Sequence, residues 1–298
     1  MKRLIIDANS LGYASHMATK LKSGDFETQS IFGMVKSARD MITDTPNLLY
    51  LWDGHAQWRY DLYPRYKADR DKDPKQALMR ANYKKARPFI QLALKSLGVR
   101  QLTVTTAEAD DLAGFFAKSL NPTDHIEFIS GDKDWIQLVK QNISWFDPIR
   151  DDRVNMENLM EFTGYKDGRA FMEGKALQGD TSDKITGVGG IGEKGAPLFL
   201  AQFGSVQNFF DRVDSGDYIP KKKAEQSFAD KSAEGREIFA RNVQLMNLLD
   251  VPKPKAQDVV YTEPKFDKEQ FRVICGRMNF ASILSNFDNF VRPFEGVN

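Results

Sequence analysis

The 298-residue chain is long enough for one large or two modest domains with a real core, and its 41% apolar content is ordinary for a globular protein. A lone cysteine, Cys275, excludes an internal disulfide, and no apolar run approaches the ~20 residues of a membrane span, so the chain reads as a soluble cytosolic protein without a membrane partner. A net charge of +1 excludes a strongly basic or acidic character for the whole chain, which moves the question to how the charges are distributed.

Arg3–Asp7 is a short apolar run ending in an acid, strand-like and too short for the core of a signal peptide. Ile31, Met34, Val35, Ala38, Met41 and Ile42 recur at helical spacing. Pro46-Asn47 breaks the chain, and Leu48–Asp53 is a second apolar run ending in an acid. From Arg59 to Arg100 twelve basic residues stand against four acids. A helix is expected over about 86–97, closed by Gly98. Val99–Thr105 reads as a third strand, Glu108–Leu120 as a helix, Ile126–Ile129 as a fourth strand followed by a short helix near Trp135, and Ile143–Phe146 as a fifth strand. From Gln101 to Asp134 seven acids stand against two lysines. A basic block followed by an acidic one fits a polyanion gripped by the first and processed with metal at the second; two balanced, solvated faces fit the charges equally well.

Strands alternating with helices argue an α/β fold with a mainly parallel central sheet flanked by helices. Sites in such sheets form outside the carboxyl ends of the strands. Asp7 and Asp53 close strands, and Glu108, Asp110, Asp111, Asp132 and Asp134 lie just past strand ends. Each has an ordinary structural reading. Glu108 and its neighbours fit a capping box, Asp110 and Asp111 favour a helix dipole, and Asp132 and Asp134 can cap the next helix. Seven acids delivered to one edge together favour a site for hard divalent cations, and so many imply two ions or ligation through water.

Beyond Arg150 the pattern changes. Asp180 and Asp183 are three apart, and Gly187, Gly189, Gly190, Gly192 and Gly195 follow within nine residues. Such a run lets backbone N–H groups approach a phosphate, although it is neither a P-loop nor a dinucleotide fingerprint. Glu234–Leu249 looks helical, Pro252-Lys253-Pro254 reads as a linker or extended segment, and residues 270–290 carry core-packing helices.

Five blocks in this order, LIIDANS, LWDG with WRYDLYPRYKADR, AEADD, SGDKDW and GDTSDKITGVGGIGEKGA, resemble the 5′ nuclease family, which includes flap endonucleases, phage 5′→3′ exonucleases and the 5′-nuclease domain of bacterial DNA polymerase I. The match covers Arg3 to Gly204. It implies a PIN-like nuclease core over 1–173, with a helical arch at about 54–87. Over 174–298 it implies a helix–three-turn–helix DNA-binding element and C-terminal helices that pack back on the core. Asp7, Asp53, Glu108, Asp110, Asp111, Asp132, Asp134, Asp180 and Asp183 match the family's metal carboxylates, taking two magnesium or manganese ions. Lys67 matches its active-site lysine, Arg70 a basic residue of the same segment, and Tyr66 an aromatic able to stack on a base. Arg59, Lys84 and Lys85 of the basic block, and Gly187, Gly189, Gly190, Gly192 and Lys194 of the hairpin, are the other expected DNA contacts, with potassium as a candidate ion at the hairpin. Lys184 and Thr186 depart from the Asn and Pro common in relatives. The implied protein is a monomeric, free-standing nuclease of the phage type, acting on DNA with a 5′ flap or a single-stranded 5′ end, and on RNA–DNA primers as a further candidate. A non-catalytic DNA-binding protein of the same fold is the alternative. A haloacid-dehalogenase-type phosphatase is disfavoured, because Asn9 stands where that chemistry needs a second Asp.

Overall fold

A computed structural model describes residues 1–18, 20–70 and 72–296. The apolar runs become the parallel strands β1 (Lys2–Asp7), β4 (Leu48–Trp52), β5 (Arg100–Val104), β6 (His125–Ile129) and β7 (Ile143–Asp147). Two short strands, β2 (Lys22–Ser23) and β3 (Phe26–Glu27), form a separate hairpin, as do β9 (Gly179–Asp180) and β10 (Ile185–Thr186). The central sheet is completed by two antiparallel edges, β8 (Asp152–Val154) beside β7 and β11 (Val259–Thr262) beside β5. The strand order is β11-β5-β4-β1-β6-β7-β8. The chain runs outward from β1 through β4 and β5, then returns to the other side of β1 to begin β6. The loops leaving β1 and β6 therefore diverge, which opens a crevice at the carboxyl edge between them.

Side-chain alternation on the inner strands feeds two cores, as expected of strands covered on both faces. Leu4, Ile6, Tyr50 and Trp52 point to one face, packed by α1 (Ala8–Ala18), α2 (Gln29–Ile42), α4 (Pro74–Ser96) and the C-terminal helices α12 (Lys268–Arg277), α13 (Ala281–Leu284) and α14 (Phe287–Val291). Ile5, Leu51 and Phe128 point to the other, packed by α5 (Ala109–Ser119), the 3₁₀ turn Lys133–Leu138, α6 (Leu159–Thr163) and α7 (Gly168–Gln178). That second core continues into α8 (Gly195–Phe203), α9 (Val206–Asp214), α10 (Lys223–Ala229) and α11 (Gly235–Met246), where Phe199, Phe203, Phe209 and Phe228 pack ring on ring. Among the described residues no helix is long and apolar enough to cross a membrane.

One expectation shifts. The helix expected from about 86 begins at Pro74, because Asp73 caps it by accepting from the Lys75 and Gln76 N–H groups at 2.9 and 3.4 Å, with proline at the first position. Pro252-Lys253-Pro254 lies outside helix and strand, as a linker or extended segment would, and Val259–Thr262 beyond it adds β11 to the sheet. The stretch expected as an arch, 54–87, consists of α3 (Gln57–Leu62), a run of turns and the first half of α4; residue 71 within it lies outside the described residues.

Candidate active site

The carboxyl edge of the sheet opens into a cleft of about 940 Å³ lined by Asp7, Asp53, Glu108, Asp110, Asp132, Asp134, Asp180 and Asp183. Asp7 ends β1, Asp53 follows β4, Glu108 caps α5 and Asp110 lies in its first turn; Asp132 and Asp134 leave β6; Asp180 ends β9 and Asp183 follows in its turn. The opposite wall is basic. Arg80, Lys84 and Arg87 stand one turn apart on α4, and Lys67 and Arg70 come from the turn before it.

Each inner acid is held in place by a neutral donor. Asp7 accepts from the Ser10 N–H at 2.9 Å and the Ser130 hydroxyl at 2.8 Å, Asp53 from the Ala109 N–H at 2.8 Å, and Asp110 from the Trp135 indole at 2.7 Å. Asp132 caps the following turn by accepting from the Asp134 N–H at 2.8 Å. Among the described residues none of these four forms a salt bridge. Burial, then the charge of Asp53, pushes Asp7 up to about 7. Desolvation at the cleft floor, then Asp134 and Asp7, pushes Asp132 up to about 8. Burial and the four surrounding acids hold Asp110 well above the carboxylate range. Charge left this uncompensated is what a divalent cation would offset, and the all-oxygen donor set suits a hard ion. Among the described residues no three acids converge closely enough to enclose one ion, so an ion here would keep much of its water.

The outer acids have built-in cations. Lys67 Nζ lies 2.6 Å from Glu108 and 3.8 Å from Asp183, and Arg70 lies 2.9 Å from Asp183. Burial raises Glu108, but Lys67 and Arg59 outweigh it and bring it below its usual range. Lys67 has φ 57°, a left-handed conformation uncommon for a side chain, and its N–H donates to the Asp183 carbonyl at 3.0 Å. The turn carrying it is tied to the β9–β10 hairpin a second time, through Lys184 and Asp69 at 2.8 Å. Lys184 also has a positive φ, 60°. The departure seen in the sequence at Lys184 thus supplies an ion pair.

Three expected site residues are placed differently. Asp111 does not line the cleft: both its oxygens bind the Arg59 guanidinium, at 2.6 and 3.0 Å, and one also accepts the Glu108 N–H at 2.9 Å. Asp111 thus completes the capping box of α5 with Glu108. Arg59, expected at DNA, is only 2% exposed and cannot reach a phosphate from there. Tyr66 is buried, its hydroxyl donating to Glu108 at 2.9 Å, so its ring is not free to stack on a base. Lys84 faces the cleft, whereas Lys85 is exposed outside it. Gly187, Gly189, Gly190, Gly192 and Lys194 lie away from the cleft on a loop pinned by the buried Val188 and Ile191. At Gly189 and Gly192 an added Cβ would meet no protein atom, so nothing within the chain requires glycine there.

Residues not anticipated are Arg80, Arg87 and Lys175. The spacing of Arg80, Lys84 and Arg87 would have shown one helical face had Pro74 been read as the helix start. Asp147, at the end of β7, is a further acid on the same edge. It is fully buried and engaged by the Ile149 N–H at 2.9 Å and by Arg150 at 2.6 Å, which makes it a turn former.

Residues 2–168 match the family described as 5′-3′ exonuclease, N-terminal resolvase-like domain, and residues 167–266 match its C-terminal SAM fold. The chain belongs to the 5′-3′ exonuclease family. It is similar to a DNA polymerase I of Lactococcus lactis, 30% identical over 244 residues that cover 76% of this chain but 27% of that protein, so the chain spans about a quarter of that relative. It is also similar to a 5′-3′ exonuclease of Buchnera aphidicola, 28% identical over 267 residues, covering 86% of this chain and 90% of that one. Its fold matches that of the bacteriophage T5 flap endonuclease, solved as a pseudo-enzyme–product complex with DNA and metal ions, at a TM-score of 0.69 and 21% identity, over 100% of this chain and 99% of that one.

Proposed function

We propose that the chain is a metal-dependent 5′→3′ exonuclease with structure-specific flap endonuclease activity on DNA. The observation that carries this reading is the cleft itself, an acidic floor facing a basic wall. Its substrates are DNA with a 5′ flap or a single-stranded 5′ end, with RNA–DNA primers as a further class. Two magnesium or manganese ions would be held by the inner acids Asp7, Asp53, Asp110 and Asp132 and the outer acids Glu108, Asp134, Asp180 and Asp183. Such ions lower the pKa of a bound water and offset charge at the phosphate. The chain's own residues do the rest. Arg80, Lys84 and Arg87 draw the strand along α4. Lys67 and Arg70 meet the scissile phosphate once it enters the cleft, trading carboxylate partners for phosphate oxygens. The open glycine loop at 187–195 holds the adjacent duplex by its backbone without reading sequence, and is also the place where potassium would sit. The chain acts as a monomer in this reading.

A 5′-labelled flap duplex tests it. Folded protein that releases no product with magnesium or manganese overturns the nuclease reading in favour of a non-catalytic DNA-binding protein. Lys67→Ala is expected to slow single-turnover cleavage by roughly 10²-fold or more, the scale for one electrostatic stabiliser, while the Kd for flap DNA changes severalfold at most. The reverse split would make Lys67 a phosphate anchor.

A further inference from the structure

Lys175 stands where the two parts of the cleft meet. It lies in the last turn of α7, and its Nζ is 2.9 Å from Asp134 and 3.4 Å from Asp180. Asp134 belongs to the turn after β6, and Asp180 to the β9–β10 hairpin. The helix that carries it is locked at both ends. At Gly168 an added Cβ would lie 2.1 Å from the Gln137 carbonyl, and the Ala176 carbonyl accepts from Asn242 Nδ2 at 2.8 Å. The ammonium is therefore delivered by a rigid backbone, and only its own stem can swing. The inner acids Asp7, Asp53, Asp110 and Asp132 have no such partner among the described residues, whereas the outer acids carry resident cations, Lys175 on Asp134 and Asp180 beside Lys67 and Arg70 on Glu108 and Asp183.

We propose that Lys175 is an internal counter-ion of the outer acids, one that a divalent cation must displace, so that the cleft binds one ion tightly and a second weakly. This rests on the two-ion reading above. A positive charge a few ångströms from a cation site lowers its affinity, and a side chain already bound to two of the acids competes for them directly. At metal concentrations that fill only the tight site, the outer position then fills when substrate phosphate adds negative charge, which ties activation to bound DNA. Lys175 is a positioning residue here, with no contact to the reacting atoms.

Manganese binding to the DNA-free protein, followed by electron paramagnetic resonance, provides the test, with Lys175→Met, Lys175→Gln and Lys175→Arg as variants and melting curves as the folding control. The expected result is two sites of unequal affinity in the unmodified chain. In the Met and Gln variants the weaker site tightens about tenfold or more, while the tighter site and the Arg variant stay within about twofold. A weaker site that is unchanged or loosened in folded Met or Gln variants overturns the inference and leaves the two-ion reading standing. One site in the unmodified chain and two in the variants supports the inference and revises that reading. One site in all of them overturns both. Loss of folded protein in both the Met and Gln variants would assign Lys175 to holding the fold and also overturn the inference.

Discussion

Asp132→Asn is expected to reduce cleavage by about 10³-fold or more while leaving duplex binding nearly intact, because on the proposed metal-dependent reading the change removes one of the charges that would hold an ion at the cleft floor and no basic contact from its wall. The amide is isosteric and its oxygen can still accept the Asp134 N–H at 2.8 Å, so the cap survives. The Asp132 N–H still has the Ser130 hydroxyl at 2.9 Å. Without metal the same change should raise the melting temperature. Asp7 and Asp132 titrate well above the ordinary carboxylate value, at about 7 and about 8. Between roughly pH 4 and pH 8 these two carboxyls therefore hold more protons in the native state than in the unfolded chain, and by linkage their contribution to stability falls as pH rises through that window. Asparagine cannot ionise and spares Asp110 and Asp7 a neighbouring charge, so the variant melts higher at pH 8 and loses less stability between pH 5 and pH 8. Saturating magnesium should flatten the slope in the unmodified chain, since bound cation favours the ionised acids. Activity and metal-free stability thus move in opposite directions. Cleavage near the unmodified rate would remove Asp132 from the metal set, and a metal-free melting temperature lowered by several degrees would make capping its main task.

The sheet was legible because β1 and β4 are apolar runs closed by an acid, and because the later strands alternate with helices along the chain. Asp7 and Asp53 mark the carboxyl edge from the amino-acid order alone. Where reading failed, the information was not local. Nothing in Val259–Thr262 announces that it pairs with Arg100–Val104 more than 150 residues earlier. Asp110 and Asp111 are neighbours of one type in one helical turn, yet one faces the cleft and the other a buried guanidinium. About 100° of helix rotation separates them, and only packing decides which faces which way. The same holds for the basic block. Arg80, Lys84 and Arg87 reach the cleft, whereas Arg59 is taken by the core. Lys175 could have been suspected as a cation in a helix's last turn five residues before Asp180, but its second partner, Asp134, comes from another part of the chain.

Arg59 turns that distinction into the largest expected stability effect. Its guanidinium gives two bonds to Asp111, one from Nε to the Leu245 carbonyl at 3.1 Å, and a 3.4 Å ion pair to Glu108. It joins α3 to α5 and to the end of α11. Arg59→Ala would leave Asp111, itself 2% exposed, as a buried charge without its partner, a change that costs about 3–5 kcal/mol. Removing both charges should be milder. In Arg59→Met with Asp111→Asn the methionine fills the space and the asparagine oxygen can still accept the Glu108 N–H, so most of the lost stability should return. DNA binding separates this account from a phosphate contact. An arginine that neutralises a phosphate contributes about 0.9 to the slope of log K against log salt, and removing it flattens that slope by as much. Since Arg59 points inward, Arg59→Met, measured at a temperature where it is still folded, should keep the unmodified slope while its melting temperature falls sharply. A slope reduced by about one unit with an unchanged melting temperature would return Arg59 to the DNA.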